Sequence, residues 1–264
     1  MPPAPDVSPP WGGRRLRLAA INAASLVVLI GLWALAASLA HTRSVPSPLS
    51  VATFLVEEAR SGALEANIAV TLGRVAASFA LAMTIGTAIG LWLGRMRKAD
   101  RVFSLWLLVL LNTPALVIAV LCYIWLGLTD TAAVLAVALN KLPMTAVTVR
   151  EGARAFDPGL DEMATAYRLP FGTWLHHVAA PQLAPYLAAA ARNGIALVWK
   201  IVLLVELLGR PDGVGAAISL YFQLFDVRAV IGYAVAFGAV MLTIEFLVLQ
   251  PLESHARRWR IDPA

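Results

Sequence analysis

The side chains in this chain that could do chemistry are few, and their spacing does not suit it. His176 and His177 are adjacent, so on a helix they cannot share one face as an i, i+4 pair would. Neither an H-E-x-x-H pattern nor a carboxylate stands beside them, and no metal centre is expected. A single cysteine, Cys122, allows neither an intrachain disulfide nor a thiolate cluster. There is no G-x-x-x-x-G-K-[ST] loop to cradle phosphates, no G-x-S-x-G elbow, and no pair of carboxylates inside an apolar stretch. These absences point away from an enzyme and from a bound cofactor. The chain cannot by itself hold a nucleotide in a phosphate-cradling loop.

What the sequence offers instead is a surface. Residues 150–182 form its longest hydrophilic insertion, far more than a connector between helices needs. Within it, Asp157 and Pro158 suit an N-cap and a first helical position. Leu160, Met163, Ala164 and Tyr167 then fall at i, i+3, i+4 and i+7, one apolar stripe, with Asp161 and Glu162 near the positive end of the helix. Pro170 and Gly172 break it, and a second short helix through Trp174 and Val178 leads to Pro181. A short amphipathic helix with nothing of its own to bury against suits a groove on another protein.

The elements that carry this helix belong in a membrane. The 264 residues are 59% apolar and 14% charged, against roughly 45–50% and about 25% in soluble domains. An ordinary soluble domain, a disordered chain and a collagen-like repeat are excluded. Six apolar segments, 18–40, 68–94, 102–129, 131–149, 183–205 and 229–250, are each long enough to span as a helix. Lipid satisfies no backbone polar group, so an all-α polytopic fold with six transmembrane helices is expected, not a barrel. With the N-terminus inside, 13 of the 21 Lys and Arg fall on the cytoplasmic side and 4 outside. That asymmetry places both termini in the cytoplasm and the protein in the inner (plasma) membrane. The net charge of +5 is read the same way, not as a nucleic-acid surface.

Residues 18–40 read as a retained first span, too long for a signal peptide. Residues 1–17 read as a disordered cytoplasmic N-terminus, 18–252 as the membrane domain and 253–264 as a cytoplasmic tail. Ahead of the second span, Val51, Phe54, Leu55 and Ala59 recur at helical spacing opposite Glu57, Glu58 and Arg60, which predicts a short amphipathic helix on the outer surface. No inverted repeat of the secondary-transporter kind is found.

Charges inside the spans are costly and normally face protein or a watery cavity. Arg74, one turn into its span, can snorkel to the outer boundary. Lys141 and Lys200 lie deeper, while Arg192, nearer the cytoplasmic end, can reach the interface; one acidic residue, Glu245, stands against them, and Lys200 is six residues from Glu206. Two readings stay open. Lys141 and Lys200 set a positive potential along an anion path, with Glu206, Asn112 and Trp199 as further path candidates; or one lysine pairs with Glu245 to fix packing. Small-residue stripes at Gly86, Ala88 and Gly90, and at Gly232, Ala236, Gly238 and Ala239, favour close helix contacts.

The motifs resemble a known family. The segment Glu162-Met163-Ala164-Thr165-Ala166-Tyr167-Arg168-Leu169 is similar to the EAA loop of permease subunits of binding-protein-dependent ABC importers. Its form is closest to the nitrate/sulfonate/taurine branch, where E-M-A-x-x-Y-G-L is usual. Arg168 replaces a glycine free to adopt positive φ, which leaves open the turn after the helix but not the helix. Val45-Pro46-Ser47-Pro48, Thr71 to Val75 with Gly86, Gly90 and Gly94 beyond, Tyr123 to Leu128, and Glu206 to Gly215 resemble other segments of that branch. The resemblance covers roughly residues 18–260.

It implies the type I ABC importer permease fold, no catalysis in this chain, and a path for a small, anionic solute delivered by a soluble periplasmic or extracytoplasmic binding protein. It implies a second permease copy, as a homodimer within membrane lipid, and separate cytoplasmic ABC ATPase subunits. Leu160, Glu162, Met163, Ala164, Tyr167, Arg168 and Leu169 would couple those ATPases to the spans. A cationic or neutral nutrient such as a thiamine precursor fits the same scaffold. A stand-alone secondary transporter would not need the docking helix. No nucleic acid is expected.

Overall fold

The computed structural model describes residues 11–40, 42, 44–245 and 247, without the side chains of 11–20, 22 and 23. The expected tail, residues 1–10 and the end of the sixth apolar segment lie outside the described residues. All the regular structure described is helical.

Helix α1 (Trp11–Ala40) starts ahead of the expected boundary at residue 18. Ser47 caps α2 (Pro48–Ser61), accepting from the Ser50 amide, with proline at the first helical position. The apolar stripe of α2 does not lie on a membrane surface as expected from its amphipathicity. Val51 and Phe54 are buried, Phe54 packing on α11 (Val227–Ile244), and the Glu58 carboxylate accepts from Tyr233 at 2.6 Å. Gly62, at φ 78°, turns the chain into α3 (Ala63–Arg95).

The uncharged segment 102–129 is not one span. It divides into α4 (Arg97–Asn112) and α5 (Ala115–Leu126), bent by 97° at Thr113-Pro114. A residue before proline is pushed out of the helical region, and Thr113 is extended at ψ 124°. Thr129 then caps α6 (Asp130–Arg154), and α7 (Pro158–Ala166) follows. Beyond it, α8 (Phe171–Trp174), a π turn (Leu175–Ala179) and α9 (Ala180–Gly209) run on as one 39-residue helix. The second short helix expected to stop at Pro181 is therefore the foot of a span. The π turn at Leu175–Ala179, just ahead of Pro181, takes up the hydrogen-bond pattern that the proline interrupts, so the helix continues through it. Helices α10 (Val214–Gln223) and α11 close the fold.

Helices α3, α6, 171–209 and α11 are each long and apolar enough to cross a membrane, and the bent pair α4–α5 can count as a fifth span. The stretch of α1 described without interruption, Ala24–Ala40, is an apolar helix that falls just short of that length. At the centre, α3, α6 and α9 pack together. Gly86, Gly90 and Gly94 make this possible: a Cβ at Gly90 would stand 2.5 Å from the Ala146 carbonyl oxygen. The second small-residue stripe is used only in part. Gly232 meets Phe54, while Gly238 meets nothing within 4 Å.

Candidate docking helix and charged core

Helix α7 forms where the capping pattern predicts it. Asp157 accepts from the Gly159 amide at 2.8 Å, and Gln182 accepts from the Asp157 amide at the same distance. Its far end closes with two bonds, Leu169 N–H to Ala164 C=O at 3.0 Å and Arg168 N–H to Thr165 C=O at 3.1 Å. This pairing is the Schellman turn, whose penultimate residue must be left-handed. Arg168 occupies that position at φ 49°. The turn that a glycine normally makes is thus kept with arginine, at a cost of about 1–2 kcal/mol.

Of the stripe, only Ala164 is covered by the chain itself; Leu160, Met163 and Tyr167 are exposed, Tyr167 at 78%. The rod is held from one side. Asp161 is ion-paired with Arg95 at the end of α3 and lies 3.4 Å from the Trp174 indole nitrogen. The Arg95 guanidinium also stands over the Trp174 and Phe156 rings at 5.4 and 5.8 Å. Glu162 and Arg168 are exposed, and Leu169 is half-buried.

At the opposite end of the bundle Arg74 does not snorkel. It is 5% exposed and sits at the hub of an ion network. Its guanidinium donates to Glu206 at 2.8 Å, to Asp130 at 2.8 Å, and to the carboxylate and carbonyl of Asp212 at 2.5 and 2.8 Å. Glu206 is fully buried and also accepts from the Thr71 hydroxyl and the Gly215 amide, both at 2.9 Å. Gly213 is required here: at φ 102°, a Cβ on it would lie 2.5 Å from that carboxylate. Arg210 donates to the Leu128 carbonyl and to Asp130. The hydrogen bond from Arg74 holds the Asp212 carboxyl below the usual carboxylate range.

The five path candidates do not meet in one place. Glu206 belongs to the ion network, not to Lys200. Lys141 is fully buried between α6 and α9, where its ammonium donates to the Ala190 carbonyl at 3.1 Å and packs on Gly194. Neither lysine pairs with Glu245 among the described residues. Lys200 is exposed on α9, its ammonium 5.6 Å from the Trp199 ring, and Trp199 itself packs on Phe237 at 5.9 Å. Asn112 is exposed at the α4–α5 elbow and bonds back to Leu108. The Arg74 network could have been sought from Arg74 and Glu206 alone, an acid and a base near matching ends of two spans. Glu206 lies one residue beyond the apolar segment 183–205, where the sequence sets it against Lys200 instead.

Several helices long and apolar enough to cross a membrane, around a tightly packed centre and with a partly uncovered amphipathic helix at one end, are the features of a multi-pass membrane protein, and its likeness to known proteins makes it a permease of the type I ABC importer fold. A model of the family described as binding-protein-dependent transport system inner membrane component matches residues 86–261, and the chain belongs to that family. The putative aliphatic sulfonates transport permease protein SsuC of Escherichia coli (strain K12) is 28% identical over 235 residues, covering 88% of this chain and 89% of its own. The protein of the same name from Bacillus subtilis (strain 168) is 25% identical over 236 residues, covering 88% and 85%. A crystal structure of an amino acid ABC transporter with histidines shares the fold, at TM-score 0.57 and 24% identity, over 76% of this chain and 98% of that one. The chain is a permease subunit of an ABC importer.

Proposed function

We propose that two copies of this chain form the translocation path of an ATP-driven importer for a small anionic solute of the aliphatic sulfonate kind. The α7 end faces the cytoplasm, as the distribution of 13 basic residues against 4 supports. A separate ATPase subunit grips α7 on each copy, and a soluble binding protein delivers cargo at the other face. The observation that carries this reading is α7 itself. It is pinned at Asp161 yet leaves Leu160, Met163 and Tyr167 uncovered. That is the arrangement of a lever that is anchored and awaits a grip.

Lys200 supports the path. An exposed ammonium on a spanning helix is costly against lipid and is tolerated where it lines a watery cavity. The open face of α9, covered by a second copy, supplies one. The choice of an anion rests on Lys200 and on the sulfonate relatives. The buried network does not add to it, since Arg74 and Arg210 face three carboxylates there. In proteoliposomes holding the permease, its ATPase and the binding protein, Met163→Asp with Tyr167→Ala is expected to abolish ATP-dependent uptake while the chain still inserts. Undiminished uptake would overturn the docking role. Competition by an alkanesulfonate supports the cargo; competition by a thiamine precursor instead replaces it. Uptake that persists without the ATPase would mark a secondary transporter.

A further inference from the structure

We propose that the α7 end of each chain carries a binding site for an anionic phospholipid, with the headgroup phosphate held by Arg97 and Arg101 and an acyl chain laid along α4. A cavity of about 680 Å³ opens where the α3–α4 elbow, the end of α6 and α7 meet. Its charged lining is Arg95, Arg97, Arg101 and Arg154 with Asp100 and Asp161. Both carboxylates are engaged: Asp161 by Arg95, and Asp100 by Arg154 and by Arg150 at 3.1 Å. Arg97 and Arg101 have no acidic partner among the described residues. Four guanidinium groups against two carboxylates leave an excess of two positive charges. A planar guanidinium recognises phosphate by paired N–H bonds.

A second observation says what kind of phosphate. One turn further along α4, Leu105, Trp106, Val109 and Leu110 line an almost wholly apolar hollow of about 340 Å³. Arg97, Arg101, Leu105 and Val109 follow one another at intervals of four, so each lies beside the next on one ridge that winds obliquely around α4. That ridge is a charged patch followed by a greasy groove, the outline of a phospholipid head and tail. Trp92, Phe103 and Trp106 pack against one another as tilted rings, with centroids 5.4 and 5.9 Å apart, a cluster of the kind found at a membrane boundary. A free phosphate would leave the groove empty. Basic pockets between spanning helices take anionic headgroups in this way. Through Arg95, the same cavity also borders the anchor of α7.

The test uses the full-length chain in detergent, offered equal amounts of phosphatidylglycerol and phosphatidylcholine with identical acyl chains, and native mass spectrometry to count retained lipid. Phosphatidylglycerol is expected to be retained on the order of tenfold better. Arg97→Gln with Arg101→Gln should bring it to the phosphatidylcholine level; both side chains are exposed and unpaired, so the fold does not depend on them. Leu105→Ser with Val109→Ser, which spares every arginine, should also lower retention. Lys98→Gln, on α4 but outside the lining, should leave it unchanged. Equal retention of the two lipids, or no loss in either double variant, overturns the site. Equal loss in Lys98→Gln would show diffuse surface charge instead. Displacement of the lipid by inorganic phosphate at about 10 mM would show a free-anion site and overturn the lipid assignment.

Discussion

Replacing Arg74 by methionine keeps the length of the stem and removes the charge. Glu206, fully buried, is then left with two neutral donors, the Thr71 hydroxyl and the Gly215 amide. Asp130 and Asp212 are about half exposed or more and are rehydrated by water, so they add little. Breaking a buried pair from one side costs about 3–5 kcal/mol, because the remaining charge is stranded. For a chain of this size each kcal/mol moves the unfolding midpoint by about 2–4 °C, so a fall of roughly 6–20 °C is expected. Tryptophan fluorescence during heating of the detergent-solubilised chain reads it directly. The converse sharpens the reasoning. Arg74→Met combined with Glu206→Gln leaves no stranded charge and should recover at least half of the loss. A single variant that melts within about 2 °C of the parent, or a double variant below the single one, would refute the claim that this network is a buried ion pair.

Arg168→Gly relieves a left-handed arginine of about 1–2 kcal/mol and costs about 0.5–1 kcal/mol of chain entropy, so the end of α7 gains about 0–1.5 kcal/mol. Amide exchange at Leu169, whose N–H closes the turn, should slow; faster exchange would contradict the strain. Gly90→Val drives a side chain into the Ala146 carbonyl and should cost at least about 1–3 kcal/mol, while Gly73→Val, with nothing within 4 Å, should be tolerated; equal yields of folded protein would refute the close α3–α6 contact. Asp212 is more acidic folded than unfolded, so its stabilisation is complete above the unfolded value of about 3.9 and drains away as pH falls toward the folded one. Asp212→Asn should therefore lose less of its melting temperature on acidification below about pH 4 than the parent, and an identical loss would remove Asp212 from the network.

The docking helix was readable because everything that makes it is local. Asp157, Pro158 and the spacing of Leu160, Met163, Ala164 and Tyr167 lie within eleven consecutive residues. The ion network was not readable, because Arg74 and Glu206 are 132 residues apart and only the fold brings them together. From sequence Arg74 therefore reads as a cation that snorkels to the boundary, because the acids that hold it lie in other segments. The elbow at Thr113-Pro114 was signalled by its proline but masked by an unbroken apolar run, since hydropathy measures length and not direction. Arg168 and Phe225 show a further gap. Both take positive φ, 49° and 57°, at helix ends closed by the same paired bonds. Two backbone bonds there outweigh the steric cost, and a search for glycine passes over both turns.

Helix α3 is the element that both ends share. Arg74 ties one end to α6, to α9 and to the loop before α10. Arg95, its last residue, ties the other to α7. Between them, glycines at 86, 90 and 94 press α3 onto α6 so closely that no Cβ fits. Helices packed at this distance have one good arrangement and cannot slide past each other by a fraction of a turn. If an ATPase moves α7 as proposed, α3, α6 and α9 must follow as one body. The give must then come at the α4–α5 elbow, where Pro114 interrupts the helix and many side chains are uncovered. On that proposal the ion network is a brace within the subunit and not a gate. Arg74, Asp130 and Glu206 sit on α3, α6 and α9, so a path between two copies would open without breaking the bonds among them.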